Sequence, residues 1–521
     1  MELFKSKKVV AVYLIATRWK FIKRKRNMKK LICFLLPILI LVSCQSGPEP
    51  LVASKVDLIP SVYPISSAIE PGPTETGLYR TVTPFEHANV GRTHVYPADF
   101  GGSLSVPESN AVVVRQFSGV HETPYNIVTR NRDELFLFGG TQGRRDDAKG
   151  PYVVKFDATT GQVLWRTDLR DTKALGEFLW PGLVTVHGNG DLYAIHGIRI
   201  VRLDPATGTV RGEVELPTPD GFAPEDITYN GFSVLRSGII VTKSFGRRGA
   251  EGAGFPPSIV VTVDPNNLTV IDSYQLAEGS AGRLTVGLFQ GDEYVYVPGI
   301  RNIFRFAMNG SELRLDDRWS VSDYVRPGQG AASAPVVMGD WIVFQTNSGP
   351  STAPLSVYAV SQADAGLRLR TEPFSPGANG FSFIPSALTV DPETMRIYSM
   401  DAGRGRIGCI ELVGGERLET RWVVDQTTMN HTSLVGPSDA RVFVSTDAPN
   451  LLAARAAARA AGRQTAGYEE QVVWRSAASG EELARSDFMP PKLIGDPLAP
   501  GFFGVWYYLG AAGDVYELKV E

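Results

Sequence analysis

Three cysteines in 521 residues exclude a disulfide framework. Cys33 and Cys44 lie in or beside an apolar run near the start. That leaves Cys409, inside the apolar stretch 407–410, as a buried small hydrophobe with no partner. Common catalytic signatures are missing as well. The chain has no His-x-x-x-His, no Cys-x-x-Cys, no Gly-x-Ser-x-Gly and no phosphate-binding loop. Asp204-Pro-Ala-Thr-Gly and Asp264-Pro-Asn-Asn lack the spaced acids of a calcium loop and read as turns. His187 and His196 flank a hairpin and are expected to be solvated rather than ligands. Long apolar runs are scarce too. Leu31 to Leu41 spans eleven residues, against the ~20 a membrane helix needs. Net positive charge is confined to the start of the chain. Residues 1–43 hold eleven Lys or Arg against one Glu, a net of +10, so the remainder carries −13 of the total −3. A body this acidic does not suit nucleic-acid phosphates, and no nucleic-acid partner is expected.

The basic start has a readable cause. Met28-Lys29-Lys30 is a positive n-region, and Leu31 to Leu41 is the apolar core of a secretory signal. The ending Leu41-Val42-Ser43-Cys44 resembles the lipobox of bacterial lipoproteins. That resemblance implies a signal peptide over 28–43, lipidation of Cys44 and anchorage in the membrane through acyl chains. Gln45 follows Cys44 where an inner-membrane retention signal would place Asp, which implies the outer membrane. Residues 1–27 fall outside this scheme and are expected to be absent from the mature protein. Residues 44–109 read as a tether. They are rich in Pro, Ser, Gly and Thr, and their scattered apolar residues would lie on the surface of the body.

What the sequence has in quantity is glycine (53) and proline (35), which suits many short strands and turns. One sentence recurs. Residues 151–169, PYVVKFDATTGQVLWRTDL, read as strand, tight turn and strand, with Asp157 and Gly161 supplying turn chemistry. Residues 199–216 repeat it, and 259–274 repeat it more loosely. A hairpin repeated at wide spacing is a β-propeller signature. The expected fold is therefore all-β, a single propeller over 110–521 built of four-stranded blades. Counting third strands gives eight blades, and the uneven spacing leaves seven as the alternative. The missing last strand of the final blade is expected from Asn110 to Phe117. A helix of Ala and Arg is expected to protrude at about 450–467, and residues 245–257 form a Gly-rich loop.

The Asp-x-x-Thr-Gly turn followed by an aromatic resembles the repeat of pyrroloquinoline-quinone-type eight-bladed propellers. Asp157, Thr160, Gly161 and Trp165 carry it most fully, and Asp204, Thr207 and Gly208 carry it in part. The dehydrogenases of that superfamily place an adjacent-cysteine disulfide over the quinone. This chain has no such pair, so pyrroloquinoline quinone is not expected. The resemblance extends to the non-catalytic lipoproteins of the BamB type, which implies a binding scaffold rather than an enzyme.

In a propeller the first strand of each blade lines the central channel. The candidate channel residues are Glu122, Tyr125 and Asn126 in blade one, Glu225, Asp226, Tyr229 and Asn230 in blade three, and Asn430 and His431 in blade seven. No cofactor is required by the pattern. A divalent metal held by Glu122, Asp226 and His431 would give a channel-centred hydrolase or lactonase-like enzyme. The leading expectation is a lipid-anchored envelope propeller that binds an envelope protein or an extracellular ligand.

Overall fold

The computed structural model describes residues 69–75, 77–97, 111–119, 121–140, 150–172, 174–178, 180–247, 255–347, 353–374, 382–460, 467–492, 495 and 497–520. The signal segment and Cys44 lie outside them, as do residues 45–68 and 98–109 of the expected tether.

Eight antiparallel sheets form a propeller ring, one sheet to each blade. Blade one runs Pro124–Thr129, Glu134–Gly139, Tyr152–Asp157 and Val163–Asp168, from the centre outward. Its inner three strands are buried along their length, because a neighbouring blade covers each face. The outer strand alternates exposed and half-buried residues. Blades two and three repeat this burial scheme. Blade five departs locally. Its inner strand is split into Gly330–Ala332 and Val336–Met338 around Pro335, which has no N–H to give the ladder.

The eighth blade is built from both parts of the chain. Ala499–Pro500, Val505–Leu509 and Val515–Val520 come in order, and Val112–Ser118 pairs against Val515–Val520 as the outermost strand. This is the expected closure. It leaves no blade short of a strand.

Neighbouring blades interlock through the repeated turn. Trp165 of blade one lies over the turn of blade two, where Thr167 Oγ1 donates to the Gly208 carbonyl at 2.7 Å. A Cβ on Gly208 would stand 2.7 Å from the Trp165 ring, and its φ is +74°, so glycine is required twice over. Trp422 of blade six meets Gly480 of blade seven in the same way, with its indole N–H on the Ala477 carbonyl at 3.1 Å. At the closure it is the Phe117 backbone carbonyl that comes closest to Gly161, with the ring further off. The Asp157 carboxylate accepts from the Thr159 and Thr160 N–H groups, which explains the turn chemistry.

The helix covers Leu451–Ala460 and stops short of the expected 467; residues 461–466 lie outside the described set. Cys409 is fully buried, as expected, and burial pushes its thiol up to about 12. His187 and His196 differ from expectation, because both are buried. His187 Nε2 meets the Gly238 carbonyl at 2.7 Å.

Gly208→Ala should destabilise the ring by roughly 1–3 kcal/mol, through positive φ and the clash with Trp165. Urea unfolding of the variant checks it, and Gly310→Ala, at a positive-φ turn open to solvent, separates the clash from the φ cost.

Candidate functional site

Residues 78–96, expected in a tether, are inside the ring. The propeller's inner strands point their free edges at the axis, and this segment supplies partners for them. Tyr79 N–H donates to Val186 of blade two at 3.1 Å, and Val186 N–H donates back to Pro84 at 2.9 Å. Thr129 of blade one donates to Thr83 at 2.9 Å, while Thr83 Oγ1 donates to Pro500 of blade eight at 2.6 Å. Leu78 and Phe85 pack with Phe232 and Val234 of blade three. Val286, Val337 and Val390, of blades four, five and six, donate to Val90, Gly91 and Thr93 at 2.9–3.1 Å. In blade seven, Leu434 N–H donates to His94 and Tyr96 N–H donates to Leu434, both at 2.8 Å. The segment thus touches all eight blades and fills the channel as a plug. Pro84 and the polar run that follows read as loop because the partners are distant in sequence.

The plug is strained where it carries chemistry. Ala88, Arg92 and His94 have φ of +69°, +58° and +59°. Each such residue costs about 1–3 kcal/mol and persists only where the surroundings over-determine it.

At the centre Glu86 is fully buried. Its Oε1 accepts from Tyr125 OH and Arg283 Nη2, both at 2.6 Å, and Arg92 Nη1 lies 3.9 Å from Oε2. Burial opposes ionisation of Glu86, yet Arg283 and His87 outweigh it and hold the carboxyl well below its ordinary range. Beside this network three imidazoles cluster, those of His87, His94 and His431. Their ring centroids are 4.5–5.4 Å apart, and one nitrogen of each lies within 4.8 Å of the others. Among the described residues this is the only such grouping of metal-capable side chains. Burial lowers all three imidazoles, His431 to about 3.

The sequence candidates divide. Tyr125 and His431 join this centre. Asn126 bridges blades one and two through the Val184 backbone, with both bonds at 3.0 Å. Asn430 donates to the buried Glu470 at 3.2 Å, a residue that also accepts from Tyr508 OH and Lys492 N–H. Asn230 donates to the Ala281 carbonyl at 3.4 Å, and Tyr229 bonds the Pro217 carbonyl. Glu122 pairs with Arg166 of the outermost strand of blade one at 2.9 Å. Glu225 is exposed and Asp226 half-buried. Glu122 and Asp226 therefore do not stand with His431 as expected. They sit in connections ahead of the inner strands, not on them. Glu86, His87, Arg92, His94 and Arg283 complete the centre without a sequence motif, the one local signal being two of the chain's six histidines seven residues apart in the plug.

No protein-family model matches the sequence, and no curated protein matches it. Solved structures do match. The quinohemoprotein alcohol dehydrogenase of Comamonas testosteroni superposes with a TM-score of 0.54 at 12% identity, over 84% of this chain and 80% of that one. A second quinohemoprotein alcohol dehydrogenase, ADHIIG of Pseudomonas putida, gives 0.50 at 12% identity, over 83% and 79%. What this chain shares with them is the propeller fold, here with eight blades. BamB of Moraxella catarrhalis gives 0.45 at 13% identity, over 79% and 98%. At these identities what is shared is architecture.

Glu86→Gln should cost roughly 3–5 kcal/mol, because Arg283 and Arg92 lose their buried counter-charge. Acid should also destabilise the protein. His431 and His196 both fall from 6.5 to about 3 on folding, so the unfolded chain binds more protons below pH 6.5. Stability is full above that pH and declines as pH drops through the window toward 3, with Glu86 adding to the loss below its ordinary value near 4.5. The urea midpoint followed from pH 7.5 to 4.5 checks this; a flat midpoint refutes it.

Proposed function

We propose that the chain is a lipid-anchored propeller of the bacterial cell envelope, held in the outer membrane through Cys44, whose ring serves as a rigid platform for an envelope protein or extracellular ligand. The observation that carries the platform is the plug. With residues 78–96 bonded to inner strands around the ring, the axis is packed with the protein's own side chains. Recognition then falls to the loops at the two rims. The lipobox-like ending at Cys44 supports the anchor.

The rims differ. Strands alternate in direction, so connections between blades and connections from second to third strands emerge on one face. That face carries the long segments, such as 169–182, 216–226 and 486–498, and the helix Leu451–Ala460. The other face is made largely of tight turns such as 157–162 and 204–209. The long-loop face also holds a chain of touching aromatic rings. Phe178 and Trp180 lie against Phe245, and Phe245 against Phe255, with centroids 5.1–6.5 Å apart. Trp180 is 43% exposed and Phe255 36%, and the Arg247 guanidinium lies 5.0 Å from the Phe178 ring centroid. Aromatic and arginine side chains of this kind dominate protein interfaces. On the turn face Phe503 is exposed, with the Phe502 ring beside it at 6.3 Å.

Two measurements test the reading. Palmitate labelling in a bacterial host should mark the wild type and place it in the membrane fraction, while Cys44→Ser should be unlabelled and soluble. Crosslinking in intact envelopes should give a discrete adduct that Trp180→Ala with Phe255→Ala weakens at least tenfold, with melting temperature unchanged. An adduct unaffected by that pair moves the binding face elsewhere.

A further inference from the structure

The imidazole cluster at the channel centre poses a problem of proton placement. His94 Nδ1 lies 3.0 Å from Thr389 Oγ1. That hydroxyl also meets the Thr432 carbonyl at 3.0 Å and the Thr432 hydroxyl at 2.7 Å; with its own proton given to Thr432, it accepts from His94. The proton of His94 therefore sits on Nδ1 and leaves a lone pair on Nε2. His87 Nε2 lies 3.1 Å from Glu86 Oε2, and a proton on that nitrogen leaves a lone pair on Nδ1. The two lone pairs, His87 Nδ1 and His94 Nε2, face each other in direct contact. Two acceptors in contact repel unless something positive lies between them. A metal ion resolves the repulsion through the lone pairs themselves. His431 brings a third nitrogen to the same place, and its Nδ1 is buried with no hydrogen-bond partner among the described residues.

We propose that His87, His94 and His431 hold one divalent ion of the zinc type, which staples the plug to blade seven and takes an anionic fourth ligand. Three imidazoles suit zinc, and the outer contacts have the form that metal-bound histidines use, one ring resting on a carboxylate and the other on a fixed hydroxyl. Tetrahedral bonds of about 2.0–2.1 Å space ligand nitrogens by about 3.3 Å. The closest pair here is shorter than that and the widest lies within 4.8 Å, so changes in spacing of up to about 1.5 Å suffice. The charge around the ion dictates the fourth ligand. Glu86 is set against Arg92 and Arg283, and further out Glu470 stands against Lys492 and Lys243. A bare dication would raise this positive excess. A bound hydroxide, halide or carboxylate lowers it, and Arg92 Nη1 and Nη2 and Arg283 Nη1 are buried donors with no hydrogen-bond partner among the described residues. The positive φ of Arg92 and His94 fits a segment shaped by such a centre.

The test uses residues 45–521 purified without chelator, then stripped and reloaded with cobalt. The expected result is about one zinc-type ion per chain as purified, and after cobalt loading the strong visible absorption of a four-coordinate site. Chelation should lower the melting temperature by several degrees, and returning zinc should restore it. Thr389→Val keeps all three ligands and removes the His94 acceptor together with the hydroxyl's bonds to Thr432, so it should weaken cobalt binding 10–100-fold. His431→Ala should abolish the absorption, while His121→Ala, whose ring lies on Phe156, should keep it. If His431→Ala fails to fold, the wild-type spectrum and Thr389→Val still discriminate. A folded wild type that takes up neither zinc nor cobalt, and melts alike with and without chelator, overturns the proposal. So does cobalt absorption that Thr389→Val and His431→Ala leave unchanged.

Discussion

Each blade of a propeller ends at the axis in a strand edge with no sheet neighbour. Eight such edges converge in this molecule, and their N–H and C=O groups need partners. Residues 78–96 supply backbone to them, from Tyr79 on blade two to Tyr96 on blade seven. The segment has to turn continually to follow a ring rather than a sheet, and its positive φ values mark where it does so. Because it is packed from every side, it can carry side chains that would be untenable on a loop. Glu86, Arg92 and His94 are at most 1% exposed.

Burying Glu86 with Arg283 is not an obvious route to stability, since desolvation of both charges opposes their attraction. What the pair does supply is register. A slip of the plug by one residue would withdraw Glu86 from Tyr125 and Arg283 and leave two cations buried unpaired. Tyr125 comes from blade one and Arg283 from the connection into blade four, so the carboxylate ties opposite parts of the ring through one residue. Asn126 and Asn430 act alike on a smaller scale, closing backbone and carboxylate partners across neighbouring strands.

The ring was legible in the sequence because its signals are local. Asp157 bonds to Thr159 and Thr160, and Gly161 turns the chain, all within five residues. Even the borrowed closing strand could be inferred, since a third strand lacked a fourth. The plug was not legible because nothing in it is periodic and its partners are far away. His94 meets Thr389 across 295 positions, and Thr83 meets Pro500 across 417. Its proline and polar residues carry the composition of a linker, and only its contacts distinguish it from one. The candidate site was half legible for the same reason. Tyr125 and His431 sit on or beside inner strands, where channel residues were sought. Glu122 and Asp226 precede their strands, and a shift of two or three residues there turns a side chain from the axis to a rim or outer edge.

Closure of the eighth blade has a temporal side. Arg115 meets Glu517 across 402 positions, and the plug that fills the ring precedes every blade it contacts. A ribosome delivers the early pieces first and their partners last. The segment 78–96 must therefore wait, unpaired, while one blade after another is made, and Val112–Ser118 must wait for the final strand. Topologies with such distant pairings form slowly. The ring therefore stays open until Val515–Val520 is made, and closure of the fold is among the last events of its synthesis.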